Sequence, residues 1–279
     1  MPVSPLGPVP GLGYAEPISS HPLTRLSDGS ATRDAASIAE EIPVAFVYNT
    51  ESFVVVMASP ADLEDLAVGF SITEGIVDRF AEIEQVDVVR HSRGIELQIG
   101  IPGANAARLD NRRRGLSART GCGLCGIESI DELLKPPPQV STGATFTHAA
   151  LWHAAAQLEA QQPINNETRA VHAAAFADRN GSLLVVREDV GRHNAVDKVI
   201  GSLERSGTDP SSGLLLVTSR ASYELVQKAA IAGVPVLAAV SRPTGLAIEL
   251  ADRAGITLVG LLRGRSANVY SREDRLTAG

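Results

Sequence analysis

The chain has two cysteines, Cys122 and Cys125, and they lie three positions apart in the glycine-rich stretch RTGCGLCG. A CxxC pair can form a disulfide, supply half of a zinc site, act as a redox pair or carry sulfur. A structural zinc site needs about four nitrogen or sulfur ligands, and the sequence offers no HxxxH pair to complete one. The zinc-deaminase pattern, H-x-E followed by P-C-x-x-C, is also missing. A zinc hydrolase is therefore disfavoured.

Charged and flexible residues around the pair favour a reactive thiol. A predicted helix begins just after it, at IESIDELLK, and a nearby helix N-terminus favours a thiolate, as do arginines. Glycines on both sides permit the close approach of another protein or a bulky ligand. Two thiols that only pack against the fold are less consistent with this polar surrounding. The arginines in question are Arg112, Arg113, Arg114 and Arg119.

A second group of candidate residues follows the predicted strands of the C-terminal half. Short apolar runs at 183–186, 214–218, 234–240 and 256–262 alternate with helical stretches at 194–204, 222–232 and 245–254. This alternation predicts a mostly parallel sheet with helices on both faces. In such sheets, ligands bind beyond the carboxyl ends of the strands, where helix N-termini also offer N–H groups to anions.

Each of these strand ends carries at least one arginine. Together, these arginines predict a binding site for a phosphorylated or otherwise anionic ligand. The alternative is a set of solvated loop arginines without a ligand. His193, in EDVGRHNAVDK, could act on protons, contact the ligand or cap a helix, and His172 on an apolar strand could face a pocket or the core. The strand-end candidates are Arg192, Ser219, Arg220, Arg242, Arg263 and Arg265.

Four segments are predicted. Residues 1–40 are rich in proline, glycine and serine and are expected to be a disordered lead-in. Residues 41–100 form a small α+β unit: hairpin strands at 42–49 and 53–58, a helix capped by Ser59 and ended by Gly75, and a second hairpin at 85–90 and 94–100. Residues 101–126 are a mobile loop carrying the CxxC pair. Residues 127–279 form the α/β core, including a helix from Thr147 to Gln161 and a strand pair around the Asn-Gly turn at 180–181.

Composition excludes several classes of protein. The net charge of −7 argues against a general nucleic-acid binder. Hydrophobic residues make up 44% of the chain, enough for a sizeable core. No apolar run approaches the ~20 residues of a membrane span, and a secretory signal pattern is missing. With two cysteines and no such signal, the cytoplasm is the expected compartment.

Four stretches of the chain resemble the FdhD family of sulfur carriers required for formate dehydrogenase activity. They are RTGCGLCG, EDVGRHNAVDKVIG, SRASYELVQKAA, and TLVG followed by VY. The resemblance covers nearly all of residues 41–271. Two departures occur: the chain has NETRAVHAAA where the family often has TGGTHAAA, and no proline interrupts LLRGRS.

The resemblance implies a function and a fold. Family members take sulfane sulfur from a cysteine desulfurase as a cysteine persulfide, here on Cys122 with Cys125 as the second cysteine. They pass it to the molybdenum cofactor, bis-molybdopterin guanine dinucleotide, before that cofactor enters formate dehydrogenase. The implied fold is a three-layer α/β/α sandwich resembling the cytidine deaminase fold, with a smaller N-terminal α+β unit, in a homodimer that holds no permanent metal. The alternative is a non-catalytic chaperone that only binds the cofactor.

The resemblance also assigns the cofactor-binding stretch near the C-terminus. It falls on LLRGRS, which overlaps the arginine-bearing strand end found independently of the family. Together with the earlier candidates, the predicted cofactor-binding residues are Leu261, Leu262, Arg263, Gly264, Arg265, Ser266, Arg220, Ser219, Arg242, His193, Arg192 and His172.

Overall fold

The computed structural model describes residues 11–105, 108–109, 137–140 and 144–278. The CxxC pair, most of the loop predicted at 101–126, and the helix predicted just after it lie outside the described residues. The interpretations attached to those segments therefore stay predictions.

An antiparallel hairpin opens the described chain. Strand β1 (Ile18–Ser27) pairs with β2 (Ser30–Ala39) through the two-residue turn Asp28-Gly29, where Gly29 has φ +71°. An Asp-Gly turn of this kind matches the twist of a hairpin, and Arg25 donates two hydrogen bonds to Asp34 across the strands. The expectation of a disordered lead-in is therefore wrong for residues 18–39. Their side chains are mostly exposed, so they show little of the apolar alternation that would have marked the strands.

A four-stranded sheet forms the N-terminal unit, and both predicted hairpins are present in it. Strands β3 (Ile42–Tyr48) and β4 (Glu51–Ala58) are followed by helix α1 (Leu63–Thr73), then by β5 (Gln85–His91) and β6 (Gly94–Gly100). The strand order is β4-β3-β6-β5. Alternate residues of β3, from Ile42 to Tyr48, are buried against α1 in one apolar cluster.

Helix α1 begins later than expected. Its N-cap is Asp62, with φ +51°, rather than Ser59. Ser59 is held elsewhere: its hydroxyl accepts a hydrogen bond from Val190 N at 3.1 Å and its N–H donates to Asp189 at 3.0 Å. Tertiary contacts therefore win over the local capping preference. Gly75, with φ +69°, follows the last turn as predicted.

The C-terminal part contains the largest sheet. Thr147 caps the second helix through a hydrogen bond from Ala150 N at 3.1 Å, as predicted. The elements in chain order are β7 (Phe146–Thr147), α2 (His148–Leu158), α3 (Pro163–Thr168), β8 (His172–Ala177), β9 (Leu183–Asp189), α4 (Arg192–Ser206), β10 (Leu214–Val217), α5 (Tyr223–Ile231), β11 (Val236–Ala239), α6 (Gly245–Ala254), β12 (Thr257–Arg263), β13 (Ser266–Ser271) and β14 (Leu276–Thr277).

The six-stranded sheet is mixed rather than mostly parallel. Its order is β13-β12-β11-β10-β8-β9, and only β10, β11 and β12 pair in parallel. Strand β8 is antiparallel to both of its neighbours, β10 and β9. Strand β9 consequently runs in the same direction as β10–β12. The carboxyl ends of these four strands share one edge of the sheet, called the carboxyl edge below, and β8 begins there; the opposite edge is the amino edge.

Helices cover both faces of this sheet. One face packs against α4, α5 and α6 in a single buried cluster, and the other packs against α2. The predicted α/β class is therefore confirmed, whereas the likeness to the cytidine deaminase fold stays a prediction.

The two parts dock through α1 and α4 at very short range. A Cβ added to Gly69 would lie 1.7 Å from the carbonyl oxygen of Asp197, and one added to Gly201 would lie 1.9 Å from that of Asp65. Buried Asp65 also pairs with Arg187, at 2.8 Å, and with Arg205. The backbones can approach this closely only because both crossing positions are glycine.

Candidate anion-binding site at the carboxyl edge

The carboxyl edge gathers most of the candidate residues. Arg192 and His193 begin α4 after β9, and Ser219 and Arg220 follow β10. His172 begins β8, in register with Asp189 at the end of β9. Backbone hydrogen bonds join the neighbouring loops, from Thr244 N to Ala221 O and from Leu261 N to Ser241 O, both at 3.1 Å. The loops that follow β10 and β11 are therefore joined to each other and to the end of β12.

Asp189 fixes the turn between β9 and α4. It is fully buried, and its carboxylate accepts hydrogen bonds from Gly191 N at 2.7 Å and Asn194 Nδ2 at 2.9 Å. Lys198 Nζ lies 2.7 Å from the same carboxylate and is equally buried. These contacts fully engage Asp189 and Lys198 inside the protein. Their role is to position the turn that presents Arg192 and His193.

A second buried ion pair supports α4 at the residue next to Lys198. Asp197 accepts a hydrogen bond from Thr73 Oγ1 at 2.7 Å and pairs with Lys228 of α5 at 2.9 Å. Lys228 also pairs with Glu74 at 3.1 Å. Buried Glu188 accepts hydrogen bonds from Ile164 N at 2.9 Å and Asn165 N at 2.8 Å. Of the polar side chains in EDVGRHNAVDK, Arg192 and His193 are thus the ones left at the carboxyl edge.

Arg192 and His193 each keep a buried nitrogen without a partner. Within the residues that the structure describes, Arg192 Nε and His193 Nε2 make no hydrogen bond although both atoms are buried. Buried polar atoms are normally paired, so two such atoms on consecutive residues indicate a place where a ligand completes the structure. Both atoms belong to groups that can donate hydrogen bonds to an anion.

His172 adds a third nitrogen-bearing side chain. It is half-buried, and burial lowers the pKa of its imidazole, as do the nearby Arg192 and His193. A histidine with a lowered pKa is neutral at pH 7, so His172 can accept one hydrogen bond and donate another.

Glu224 belongs to the same cluster and was not singled out from the sequence. Its Oε2 lies 3.9 Å from His193 Nε2, and its side chain is 15% exposed. Burial alone would raise the pKa of Glu224, but the neighbouring His193 and Ser222 side chains lower it to about 2. The one signal in the sequence was that Glu224 lies two residues after Ser222, in the first turn of a helix, where an acidic side chain is favourable.

Two helix N-termini point at this cluster. Gly191 precedes α4, and Ser222 precedes α5 without contributing a side-chain cap among the described residues. By contrast, Thr244 caps α6 through Ala247 N at 3.3 Å. Uncapped N–H groups at a helix start favour a bound anion.

The predicted C-terminal stretch forms the turn between β12 and β13. Arg263, Gly264, Arg265 and Ser266 are exposed at its tip, whereas Leu262 is buried in the core. Leu261 has φ +53°, a left-handed conformation that is unusual for leucine, at an irregularity in the pairing of the two strands. Leu262 can therefore meet a ligand only through its backbone.

The remaining candidates lie on the loops after β10 and β11. Arg220 and Arg242 are exposed. Ser219 is buried, and its hydroxyl donates to the carbonyl oxygen of Arg220 at 3.1 Å. Ser219 thus shapes its loop, while the two arginines extend the positive surface.

The chain on both sides of the CxxC pair is held at the amino edge. Arg108 pairs with Asp78 at 2.9 Å, two residues before Phe80, whose N–H donates to Glu204 in the last turn of α4 at 3.3 Å. On the other side, Val140 N donates to Ala254 O at 2.9 Å, at the end of α6. Helix α4, with 15 residues, spans about 22 Å between the two edges at 1.5 Å per residue. The 13 residues from Leu109 to Cys122 can extend about 43 Å, so the distance is within reach of the thiol.

Neither a metal cluster nor a membrane helix is found in the described part of the chain. Outside the gaps, no group of three or more His, Cys, Asp or Glu side chains could hold a metal ion. Within the same ranges, the helices are too short or too polar to cross a bilayer.

Comparisons with known proteins agree in the family they indicate. The model of the FdhD/NarQ family matches residues 39–277. A sulfur carrier protein FdhD from Xanthomonas oryzae pv. oryzae is 52% identical over 242 residues, 87% of this chain and 86% of the relative. Another from Bordetella petrii is 49% identical over 248 residues, 89% of each chain.

A solved structure agrees as well. The crystal structure of a proposed formate dehydrogenase accessory protein from Desulfotalea psychrophila is 26% identical and matches with a TM-score of 0.76. The match covers 93% of this chain and 99% of that one. From the extent of the family match and the identity to its curated members, the chain belongs to the FdhD/NarQ family.

Proposed function

We propose that this protein is a sulfur carrier for the maturation of formate dehydrogenase. It accepts sulfane sulfur from a cysteine desulfurase as a persulfide on Cys122. It then delivers that sulfur to bis-molybdopterin guanine dinucleotide, its substrate, before the cofactor enters the apoenzyme. The relatives that are named sulfur carriers support the role.

The observation that carries the substrate assignment is the cluster at the carboxyl edge. Arg192 Nε and His193 Nε2 are buried without a hydrogen bond from the described residues, beside the starts of α4 and α5. The substrate's two guanine nucleotides bring several phosphates, which suit guanidinium, imidazole and helix N–H donors. The exposed arginines at 263 and 265 can contact its outer parts.

Loading of the carrier is a thiol exchange. The Cys122 thiolate attacks the terminal sulfur of the desulfurase persulfide, a new sulfur–sulfur bond forms on Cys122, and the desulfurase cysteine leaves as a thiolate. In delivery, the terminal sulfur bonds to the substrate's molybdenum as its bond to Cys122 breaks, Cys122 leaves as a thiolate, and the two electrons that reduce the sulfane sulfur come from the metal of the substrate. The 13 residues from Leu109 to Cys122 have a maximum length greater than that of α4, which separates the two edges.

Intact-mass analysis tests the carrier step directly. The protein is incubated with a cysteine desulfurase and cysteine, and we expect a mass increase of one sulfur atom that a reductant removes. Cys122→Ala should not gain the sulfur, and Cys125→Ala serves as the matched control for loss of a neighbouring thiol. An equal gain of sulfur by the Cys122→Ala protein would overturn the assignment.

A non-catalytic chaperone remains the alternative, and the thiol separates the two. A chaperone that only binds the cofactor does not need Cys122, whereas a carrier does. We therefore expect Cys122→Ala to bind substrate normally yet fail to restore formate dehydrogenase activity in a deletion strain. Full restoration by this variant would favour the chaperone.

A further inference from the structure

The first turns of helices α4 and α5 bring two polar side chains together at the carboxyl edge, His193 from α4 and Glu224 from α5. One helical turn later on each helix, on the same helical face, Asp197 and Lys228 form a buried ion pair at 2.9 Å. His193 Nε2 and Glu224 Oε2 stay 3.9 Å apart. The buried pair therefore holds the two helices against each other, while the pair at the edge remains separated.

The two side chains at the edge do not satisfy each other. A separation of 3.9 Å is too long for a hydrogen bond, and His193 Nε2 makes none within the described residues although the atom is buried. Glu224 is ionised near neutral pH because its pKa is about 2, and an ionised carboxylate accepts up to about four hydrogen bonds but donates none. The side chains are 22% and 15% exposed, so a ligand at the carboxyl edge can approach both.

A carboxylate at this place disfavours a ligand that consists only of phosphate, because two negative charges repel each other. The other acids of the neighbouring segment do not face the ligand, since groups of the fold already engage Glu188, Asp189 and Asp197. Glu224 differs from them in having acceptor capacity left at the edge. Its presence among arginines indicates that the ligand also brings N–H donors to this place.

We propose that His193 and Glu224 together recognise a 2-amino-4-oxopyrimidine ring, the ring that guanine and pterin share. Along one edge this ring presents a carbonyl oxygen, a ring N–H and an amino group. The carbonyl oxygen accepts from His193 Nε2, and the ring N–H and the amino group donate to the two oxygens of Glu224. The carbonyl and the ring N–H are neighbours, so their protein partners must lie side by side without bonding to each other, as these two do.

The ring assignment rests on the proposed function, whose substrate carries both guanine and pterin. Within that function it moves His193 from a phosphate to a ring, while Arg192 Nε and the helix N–H groups stay available to phosphate. Adenine does not fit the same pair, because it has an amino group in place of the carbonyl and an unprotonated ring nitrogen in place of the N–H. A donor then faces a donor, and an acceptor faces an acceptor.

Calorimetry of the full-length protein with GDP, IDP and ADP tests the recognition of guanine. IDP differs from GDP only in lacking the amino group, and ADP presents the mismatched edge. We expect GDP to bind about tenfold more tightly than IDP, the order of one hydrogen bond to a charged group. ADP should bind more weakly than either. Equal affinities for GDP and IDP would exclude guanine as the ring that the pair recognises.

Glu224→Gln tests the acceptor. This variant keeps the size of the side chain but replaces one acceptor oxygen by an amino group, so the preference for GDP over IDP should disappear. Glu249→Gln removes an exposed carboxylate from α6 and is the matched control, which should keep the preference. His193→Ala should weaken GDP and IDP alike, because both keep the carbonyl, and should leave ADP almost unchanged. If Glu224→Gln weakened GDP and IDP by the same factor, Glu224 would have only a structural role and the proposal would fail.

A second ligand series separates the two rings. Binding of 6-hydroxymethylpterin is compared with that of 6-hydroxymethyllumazine, which has oxygen in place of the amino group. Selectivity for the amino group in one series, lost in Glu224→Gln, assigns the pair to that ring. If neither series shows it while Cys122 still gains sulfur from the desulfurase, the ring recognition is wrong and the carrier role stands. If Cys122 gains no sulfur but GDP is selected through Glu224, the carrier role fails and the ring recognition stands.

Discussion

Two kinds of polar residue meet in the segment 188–198. Asp189, Asn194 and Lys198 satisfy one another and the backbone, whereas Arg192 and His193 keep buried nitrogens that the described protein does not satisfy. Both groups consist of polar or charged residues that alternate in one short stretch, so the sequence alone could not separate them. It indicated a polar segment at a strand end, and the separation came from which side chains turn inward.

Ligand binding should depend more on Arg192 than on the arginines at the β12–β13 turn. We expect Arg192→Ala to weaken GDP binding by about tenfold, the order of one charged hydrogen bond. Arg263→Ala and Arg265→Ala should each weaken it by about two- to threefold, because exposed charges are screened by solvent. GDP binding is measured by calorimetry at about 0.1 M and about 1 M salt. At the higher salt concentration the effects of Arg263→Ala and Arg265→Ala should be smaller, whereas the effect of Arg192→Ala should persist. Equal losses for all three variants would contradict this ranking.

Removing one partner of the Asp189–Lys198 pair should destabilise the fold strongly. Both side chains are 0% exposed, and an unpaired buried charge costs about 3–5 kcal/mol. Lys198→Met is therefore expected to lower the free energy of unfolding by that amount in urea titrations. Lys198→Met combined with Asp189→Asn should recover part of it, since no lone charge remains. A loss below about 1 kcal/mol for the single variant would mean that water reaches the pair.

At the level of elements, local pattern predicted most of the secondary structure but little of its assembly. The apolar runs and turn residues located β3–β6, β8–β12 and helices α1, α2, α4, α5 and α6, but not the short helix α3. The antiparallel pair β8–β9 was expected from its turn residues and is present. The position of β8 between β9 and β10 was not expected, because periodicity reports burial and not strand order. The hairpin β1–β2 was missed because its mostly exposed strands do not alternate between apolar and polar residues. The start of α1 was placed too early because Ser59 bonds to Asp189 and Val190 instead of capping the helix. The arginine-bearing carboxyl edge was located from sequence, whereas the role of the thiols stays a prediction. Glu224 could be found only from the packing of two helices.

The crossing of α1 and α4 should not tolerate side chains. Gly69→Ala would place a methyl group 1.7 Å from a backbone oxygen, and backbone cannot move aside as a flexible side chain can. We expect a loss of about 3 kcal/mol or more in the free energy of unfolding, the upper range for overpacking. Gly245→Ala is the matched control, since nothing lies within 4 Å of its added Cβ. Similar stabilities of the two variants would show that the helices can separate at little cost.

At the level of the whole molecule, the hairpin β1–β2 lies outside all three buried apolar clusters. Its two ends already meet, because Glu40 N donates to Pro17 O at 2.9 Å. The described core is therefore complete without it.

Deleting residues 18–39 and joining the ends with a short glycine linker should leave the fold intact. We expect the melting temperature to change by less than about 4 °C, the order of a 1 kcal/mol effect for a chain of this size. Circular dichroism on heating measures it. A larger drop would mean that the hairpin shields part of the core.

The glycine crossing between α1 and α4 also has a thermodynamic consequence for the chain as a unit. The segment 41–100 carries its own sheet, yet the helix on that sheet is locked to α4 by backbone contact and by the buried pairs of Asp65 and Lys228. Separating the two parts would expose both partners' charges and apolar faces together. Heating should therefore give one calorimetric transition whose calorimetric enthalpy equals its van't Hoff enthalpy. A fragment ending at residue 100 should not show a cooperative melting transition of its own.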